Sequence, residues 1–232
     1  MGCDIHLYVE NKVNGIWQSA DTWDRDKYAD EGEDARLSVN QHLYDGRNYD
    51  LFAILANVRN GVGFAGCDTG SGFKPIAMPR GLPSDVSAAV LAKSDRWDCD
   101  GHSHTWLTVS ELIAYDWTQK TKLRAFVNAA EFWRWERYDR RQGESPNETC
   151  GGIDGPRIRK ISEAEMRALL EPYGQEWSAV PRIAKELEHV YCRCEWELPY
   201  YKCCRNFLAD TLPQLWRLGR PDDVRIVFWF DN

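Results

Sequence analysis

The sequence predicts an α+β domain: an antiparallel or mixed sheet, with an N-terminal hairpin and a central C-terminal strand, and helices packed around it. Three observations carry this. In Asp4–Val9, Ile5, Leu7 and Val9 alternate with Asp4, His6 and Tyr8, and Asn14-Gly15 then separates this run from Ile16–Ala20. Alternation is the signature of a half-buried strand, and Asn-Gly between two such runs is a strong hairpin signal. Val190, Cys192, Cys194, Trp196 and Leu198 alternate with polar residues, predicting a second half-buried strand over Glu188–Leu198 in the same sheet. Val224–Phe230 is apolar at nearly every position, as a strand covered on both faces should be.

The rest follows in chain order. Asp21–Asn40 is acidic and polar and reads as a solvated loop. Leu51, Ile54, Leu55 and Val58 recur at helical spacing, with Asn48 as cap and Gly61 as stop. Gly61–Gly66 matches the dinucleotide-binding glycine pattern, but it follows a helix rather than a strand, so a Rossmann site is rejected. Gly61–Gly72 reads instead as a mobile loop or flap. Ser84 is placed as the cap of a helix after the turn Pro79-Arg80-Gly81. Thr108 with Glu111, and Ser162 with Glu165, form capping boxes. Thr121–Arg141 reads as a long helix with Leu123, Phe126, Val127, Ala130 and Trp133 on its buried stripe. Cys203–Leu218 reads as a helix bent at Pro213 and ended by Gly219. The expectation is one domain over residues 1–232, with a mainly helical insertion at about 119–187.

Composition narrows the function. The net charge is −7 and the pI near 5.3, which excludes holding duplex DNA by a broad basic surface. There is no apolar run of spanning length and no leader-like start, so a cytoplasmic protein without membrane contact is expected. Eleven Trp imply a core rich in indole, with a few rings exposed at a pocket or partner face. Eight Cys in such a compartment read as free thiols, although Cys192, Cys194, Cys203 and Cys204 leave zinc open as an alternative.

The chemical signals are two pairs. Asp4 with His6 shares one strand face, and His102 with His104 projects to one side if that segment is extended. Imidazole and carboxylate converging on one point suit a divalent metal, so these four are the candidate ligands. An antiparallel pairing of first and last strands brings Asp231 to Asp4. Asp231 and Asp45 are the candidate catalytic carboxylates. Arg47 and Asn48 at a helix start, and Arg80 on a rigid turn, are candidates for holding phosphate oxygens.

The Asp4-x-His6 and Gly101-His102-x-His104 pieces resemble two motifs of calcineurin-like metallophosphoesterases. Those enzymes bind two metals and activate water on a phosphate ester. Their Gly-Asp and Gly-Asn-His-Asp motifs have no counterpart here: Asp45-Gly46 is reversed and Gly46–Asp50 lacks the His. A second resemblance spans nearly the whole chain. Met1–His6, Arg47–Ala53, Pro79–Pro83, His102–Trp106 and Ile226–Asn232 are similar to an uncharacterised family of bacteriophage and prophage proteins. That resemblance implies a viral accessory protein in a bacterial cytosol. Two functions are expected from these readings. One is a metal-dependent hydrolase of a phosphate ester or nucleotide. The other is a non-catalytic viral protein that binds a small anionic or nucleotide ligand, or a host defence protein.

Overall fold

The structure, a computed structural model, describes residues 2–25 and 37–231. Of the predicted acidic loop, residues 26–36 lie outside the described residues. The strands are β1 Asp4–Val13, β2 Ile16–Ser19, β3 Trp23–Arg25, β4 Leu37–Val39, β5 His102–Thr108, β6 Lys120–Asn128, β7 Arg159–Ile161, β8 Val190–Pro199 and β9 Val224–Asp231. The helices are α1 Tyr49–Ala56, α2 Ala88–Asp95, α3 Val109–Ala114, α4 Ala129–Tyr138, α5 Glu163–Leu170, α6 Val180–Glu186, α7 Tyr200–Cys203 and α8 Leu212–Arg217. The α+β class is as predicted. Where one domain is expected, the chain groups into two compact units. The first comprises residues 1–58, 74–116 and 204–232, and the second residues 59–73 and 117–203.

In the first unit four strands lie in the order β2-β1-β9-β5, all antiparallel. Asn14 and Gly15 take positive φ at the β1–β2 turn, the geometry that Asn-Gly favours. β9 sits between β1 and β5, and Val224–Phe230 are all buried. Its alternate residues feed two layers. Phe228 and Phe230 face α1, where Phe52 meets Phe230 at 5.0 Å between ring centroids. Val227 and Trp229 face the other way, clustering with Tyr8, Val39 and Val90 of α2. Arg225 is the exception in this apolar run. It is 2% exposed and pairs with the fully buried Glu10 on the neighbouring strand.

Three local boundaries differ from those expected. α1 stops at Ala56 because Asn57 adopts the left-handed conformation and its N–H bonds back to Phe52 and Ala53, five residues before Gly61 is reached. The cap position of α2 is Ser87, not Ser84, because Pro83–Val86 form a turn, closed by the Val86 N–H on the Pro83 carbonyl at 3.1 Å, before the helix begins. The region around Pro213 holds a π turn over Phe207–Thr211 before α8 begins, since proline lacks the N–H that a continuous helix would use.

The second unit contains the sheet β6-β8-β7. Glu188–Leu198 is a strand with the expected alternation, but it belongs here and not beside the first strand. The long helix expected over Thr121–Arg141 is two elements, β6 and then α4, with Asn128 capping the join. Thr121, Leu123, Ala125 and Val127 point inward at period two, whereas the apolar spacing also satisfied a helix. The span expected to be mainly helical therefore carries β6 and β7 as well as α4, α5 and α6. Trp133, Trp135, Met166 and Ile183 fill the core against Cys192 and Cys194. Those two thiols lie 3.3 Å apart, and all eight cysteines are free.

The glycine-rich loop is not an open flap. Ser71 and Arg124 make backbone bonds with Lys122 and Thr69, and Asp68 pairs with Arg193 at 2.9 Å. At Gly70, φ is +135° and a Cβ would stand 2.1 Å from the Lys122 carbonyl oxygen. Gly70→Ala is expected to destabilise this unit by about 2–4 kcal/mol, the cost of forced backbone strain and overpacking. An unchanged melting temperature by circular dichroism would show that the loop does not dock on β6 as described.

Candidate functional site

The predicted site residues all fall on the first unit, and three of them, Asp4, His6 and Asp231, meet at the start of β1 and the end of β9. The strand register decides their directions. Asp4 stands opposite Asp231, and His6 opposite Trp229. Partners opposite one another point to the same face, so Asp4, His6, Tyr8, Trp229 and Asp231 share a face. The hydrogen bond from the Asp4 N–H to Asp231 Oδ1, 3.0 Å, anchors the corner. Asp231 Oδ2 lies 3.3 Å from His6 Nε2. The Trp97 ring packs on His6 at 3.9 Å between centroids. Burial under this ring lowers the His6 pKa, outweighing the opposing pull of Asp231, so the imidazole is neutral at neutral pH.

α1 supplies the second part of the site. Asn48 spends its side chain on the cap, accepting from the Leu51 N–H at 3.2 Å, so a ligand-binding role for it is not what the geometry shows. Its neighbours grip β1. Tyr49 Oη accepts from the Cys3 N–H at 3.2 Å. The Arg47 guanidinium lies across Gly2, where a Cβ would meet Nη1 at 3.1 Å. Arg47 then forks onto both oxygens of Asp4, with Nε at 2.7 Å from Oδ1. That bond holds the Asp4 carboxyl below its ordinary range. Both side chains of the fork are about half exposed, at 53% and 44%.

β5 divides the other pair. The extended segment expected at His102–His104 carries a bulge, and Ser103 takes φ +56°. One extra residue reverses the alternation. His102 therefore stacks over Phe230 at 6.1 Å, whereas His104 stacks over Trp229 at 5.3 Å, on the opposite face of the sheet. His102 Nδ1 sits 3.0 Å from Ser103 Oγ. His104 shares the His6 face, but β9 runs between their strands, which sets their backbones about 10 Å apart. Burial lowers the His104 pKa as well.

The four proposed metal ligands are thus not gathered. Asp4 is committed to Arg47, His102 faces away, and the Trp229 indole stands between the positions of His6 and His104. Among the described residues no group of three or more His, Cys, Asp or Glu is placed to hold a metal ion. The described residues do not fit a divalent-metal centre.

The remaining candidates are scattered too. Asp45 is exposed, and no contact among the described residues ties it to Asp231 or His6. Arg80 lies on the turn that runs along the free edge of β5, where the Gly81 N–H bonds to the His104 carbonyl at 2.8 Å. Its guanidinium packs over Trp106 at 5.0 Å and pairs with Glu111 at 2.5 Å. It stands two strands and about four residues from the Asp4 corner, ~15 Å away by strand geometry.

Sequence reasoning missed Trp97 and the role of Trp229. Trp229 was legible from register, being the residue opposite His6 once the two strands pair. Trp97 lies outside any periodic segment and gave no signal. No family model, no curated protein and no solved structure matches the chain.

Proposed function

We propose that this chain is a phage-encoded accessory protein that binds, without hydrolysing, a small anionic ligand carrying an aromatic ring, of the nucleotide class. The observation that supports it most is the corner itself. A neutral His6 packs under the half-buried Trp97 ring beside the exposed Arg47–Asp4 fork. Indole offers a stacking surface to any base, since every base has a π-face. Arg47 offers a planar fork that carboxylate occupies and phosphate matches equally well. Ligand phosphate would displace Asp4 from Arg47, and Asp4, as an ordinary carboxylate at neutral pH, would be free to accept from a ribose hydroxyl. The divergence of His102 from His104 is why binding is preferred to metal-dependent hydrolysis.

Calorimetric titration with purine and pyrimidine mononucleotides and cyclic dinucleotides tests this. At least one binds and is recovered intact, and Arg47→Ala and Trp97→Ala each weaken it by tenfold or more. Nucleotide turnover together with stoichiometric metal in the purified protein would reinstate the hydrolase. Failure of every nucleotide to bind would remove the ligand class.

A further inference from the structure

A concavity in the first unit lies away from this corner. It has a volume of about 560 Å³, within the usual range for a small-molecule pocket. Its lining combines an apolar part, with Val9, Leu43 and Leu218, and a polar part. The polar part includes a single carboxylate, Asp21, and a single guanidinium, Arg217, together with the amides of Asn40, Gln41 and Gln214 and the His42 ring.

The carboxylate is set in place by the fold. Asp21 follows β2, and its Oδ2 accepts from the Val9 N–H at 2.8 Å. Its own N–H bonds to Ser19 Oγ at 3.3 Å, and Ser19 Oγ in turn accepts from Trp23 Nε1 at 2.8 Å. Burial pushes the Asp21 carboxyl up to about 6, partly offset by the Val9 bond. A shift of that size marks a group held at a cost to stability, and such groups concentrate at functional sites. His42 Nδ1 lies 3.4 Å from the Leu7 carbonyl, which fixes the ring on the pocket wall. Arg217 lies in the last turn of α8 and makes no ion pair among the described residues. The pocket therefore presents one fixed negative group and one cation with no described counter-charge.

We propose that this pocket binds a small zwitterion of the amino-acid type, its ammonium against Asp21 and its carboxylate against Arg217. The charge pattern selects the class. A purely anionic ligand would bring its charge toward Asp21, and a purely cationic one would leave Arg217 opposed by a like charge. A zwitterion satisfies both ends, and a ligand ammonium restores to Asp21 the solvation that burial removed. The amides of Asn40, Gln41 and Gln214 contact the ligand side chain.

Acid weakens binding. The titratable or charged groups around Asp21 are Tyr8 and Glu10 on β1, His42 in the segment before α1, and Arg217 on α8. Of these, Glu10 opposes ionisation of Asp21, while His42 favours it. Between pH 7.5 and pH 5 Asp21 passes through its pKa of about 6 and loses the charge that holds the ammonium.

The test is a thermal-shift screen of the whole protein against the twenty free amino acids, followed by calorimetry on those that stabilise it. At least one raises the melting temperature at pH 7.5 and binds about tenfold more weakly at pH 5. Asp21→Asn keeps an oxygen to accept from Val9, and Arg217→Gln changes a helix-surface position. Both are expected to fold, as judged by circular dichroism, and each weakens binding by tenfold or more. The N-acetylated and the C-amidated forms of the same amino acid, each lacking one charge, lose binding. The proposal is overturned if no amino acid stabilises the protein, if the N-acetylated form binds as well as the free one, or if binding survives Asp21→Asn in a folded variant.

Discussion

Glu10→Ala lowers the unfolding free energy by about 3–5 kcal/mol, the penalty for leaving a buried charge without its partner. Glu10 is fully buried and Arg225 is 2% exposed, and Nε donates to Glu10 Oε2 at 2.7 Å. The other Glu10 oxygen accepts from the Ser87 N–H at 2.7 Å, so one carboxylate satisfies two buried donors. Arg225 has a second partner in Asp85, 2.8 Å away, but that side chain is 60% exposed and its pairing is screened by water. The guanidinium also lies over Trp17 at 4.0 Å, inside the sheet's own aromatic packing, and cannot move out to solvent without opening that contact. Urea denaturation of the variant measures the effect. A loss below about 1 kcal/mol would mean that Asp85 alone compensates the arginine. Replacing both partners by leucine is expected to cost less than Glu10→Ala, because no charge is then left unpaired.

Val227→Asp is expected to abolish soluble expression. Val227 is fully buried on β9, with Tyr8 opposite on one side and Trp106 on the other. An unpaired carboxylate there costs several kcal/mol, of the order of the whole stability of an ordinary domain. Ile16→Asp on β2 is the control, since that side chain is 65% exposed and a charge there is solvated. Equal yields of the two variants would show that β9 is not the middle of its sheet.

The strands were legible where one periodicity stood alone. β1 alternates cleanly, β9 is apolar throughout, and the Asn14-Gly15 turn fixes their neighbour β2. β6 was not legible, because Leu123, Phe126, Val127 and Ala130 fit a helical stripe as well as they fit part of a strand. Only the pairing with β8, which sequence distance hides, selects the strand. The two capping boxes were readable because each is a local exchange of two hydrogen bonds, and both are present. At the site, the approach of Asp231 to Asp4 followed from antiparallel pairing alone. The same alternation rule misplaced His102 relative to His104, because nothing in Gly101-His102-Ser103-His104 announces that Ser103 takes positive φ. Arg225 and Glu10 sat in plain view on strands, but a buried ion pair becomes visible only when register places the two side by side.

The position of β9 also sets an order in time. It is synthesised after every other strand of its sheet, yet it stands between β1 and β5, which never pair with each other. Until residues 224–231 exist, β1 has only the β2 hairpin for company, and β5 has no partner in the sheet. The paired ends of β1 and β9, Asp4 and Asp231, are 227 residues apart in the chain. Closing so long a loop is slow, and nascent chains with open strand edges are prone to pair with one another. Residues 59–73 and 117–203, by contrast, hold all three strands of the second sheet and are complete before β9 begins. A chain cut after residue 219 should therefore retain the structure of the second unit and lose that of the first, and it should be the first unit's β1 and β5 segments that recruit chaperones.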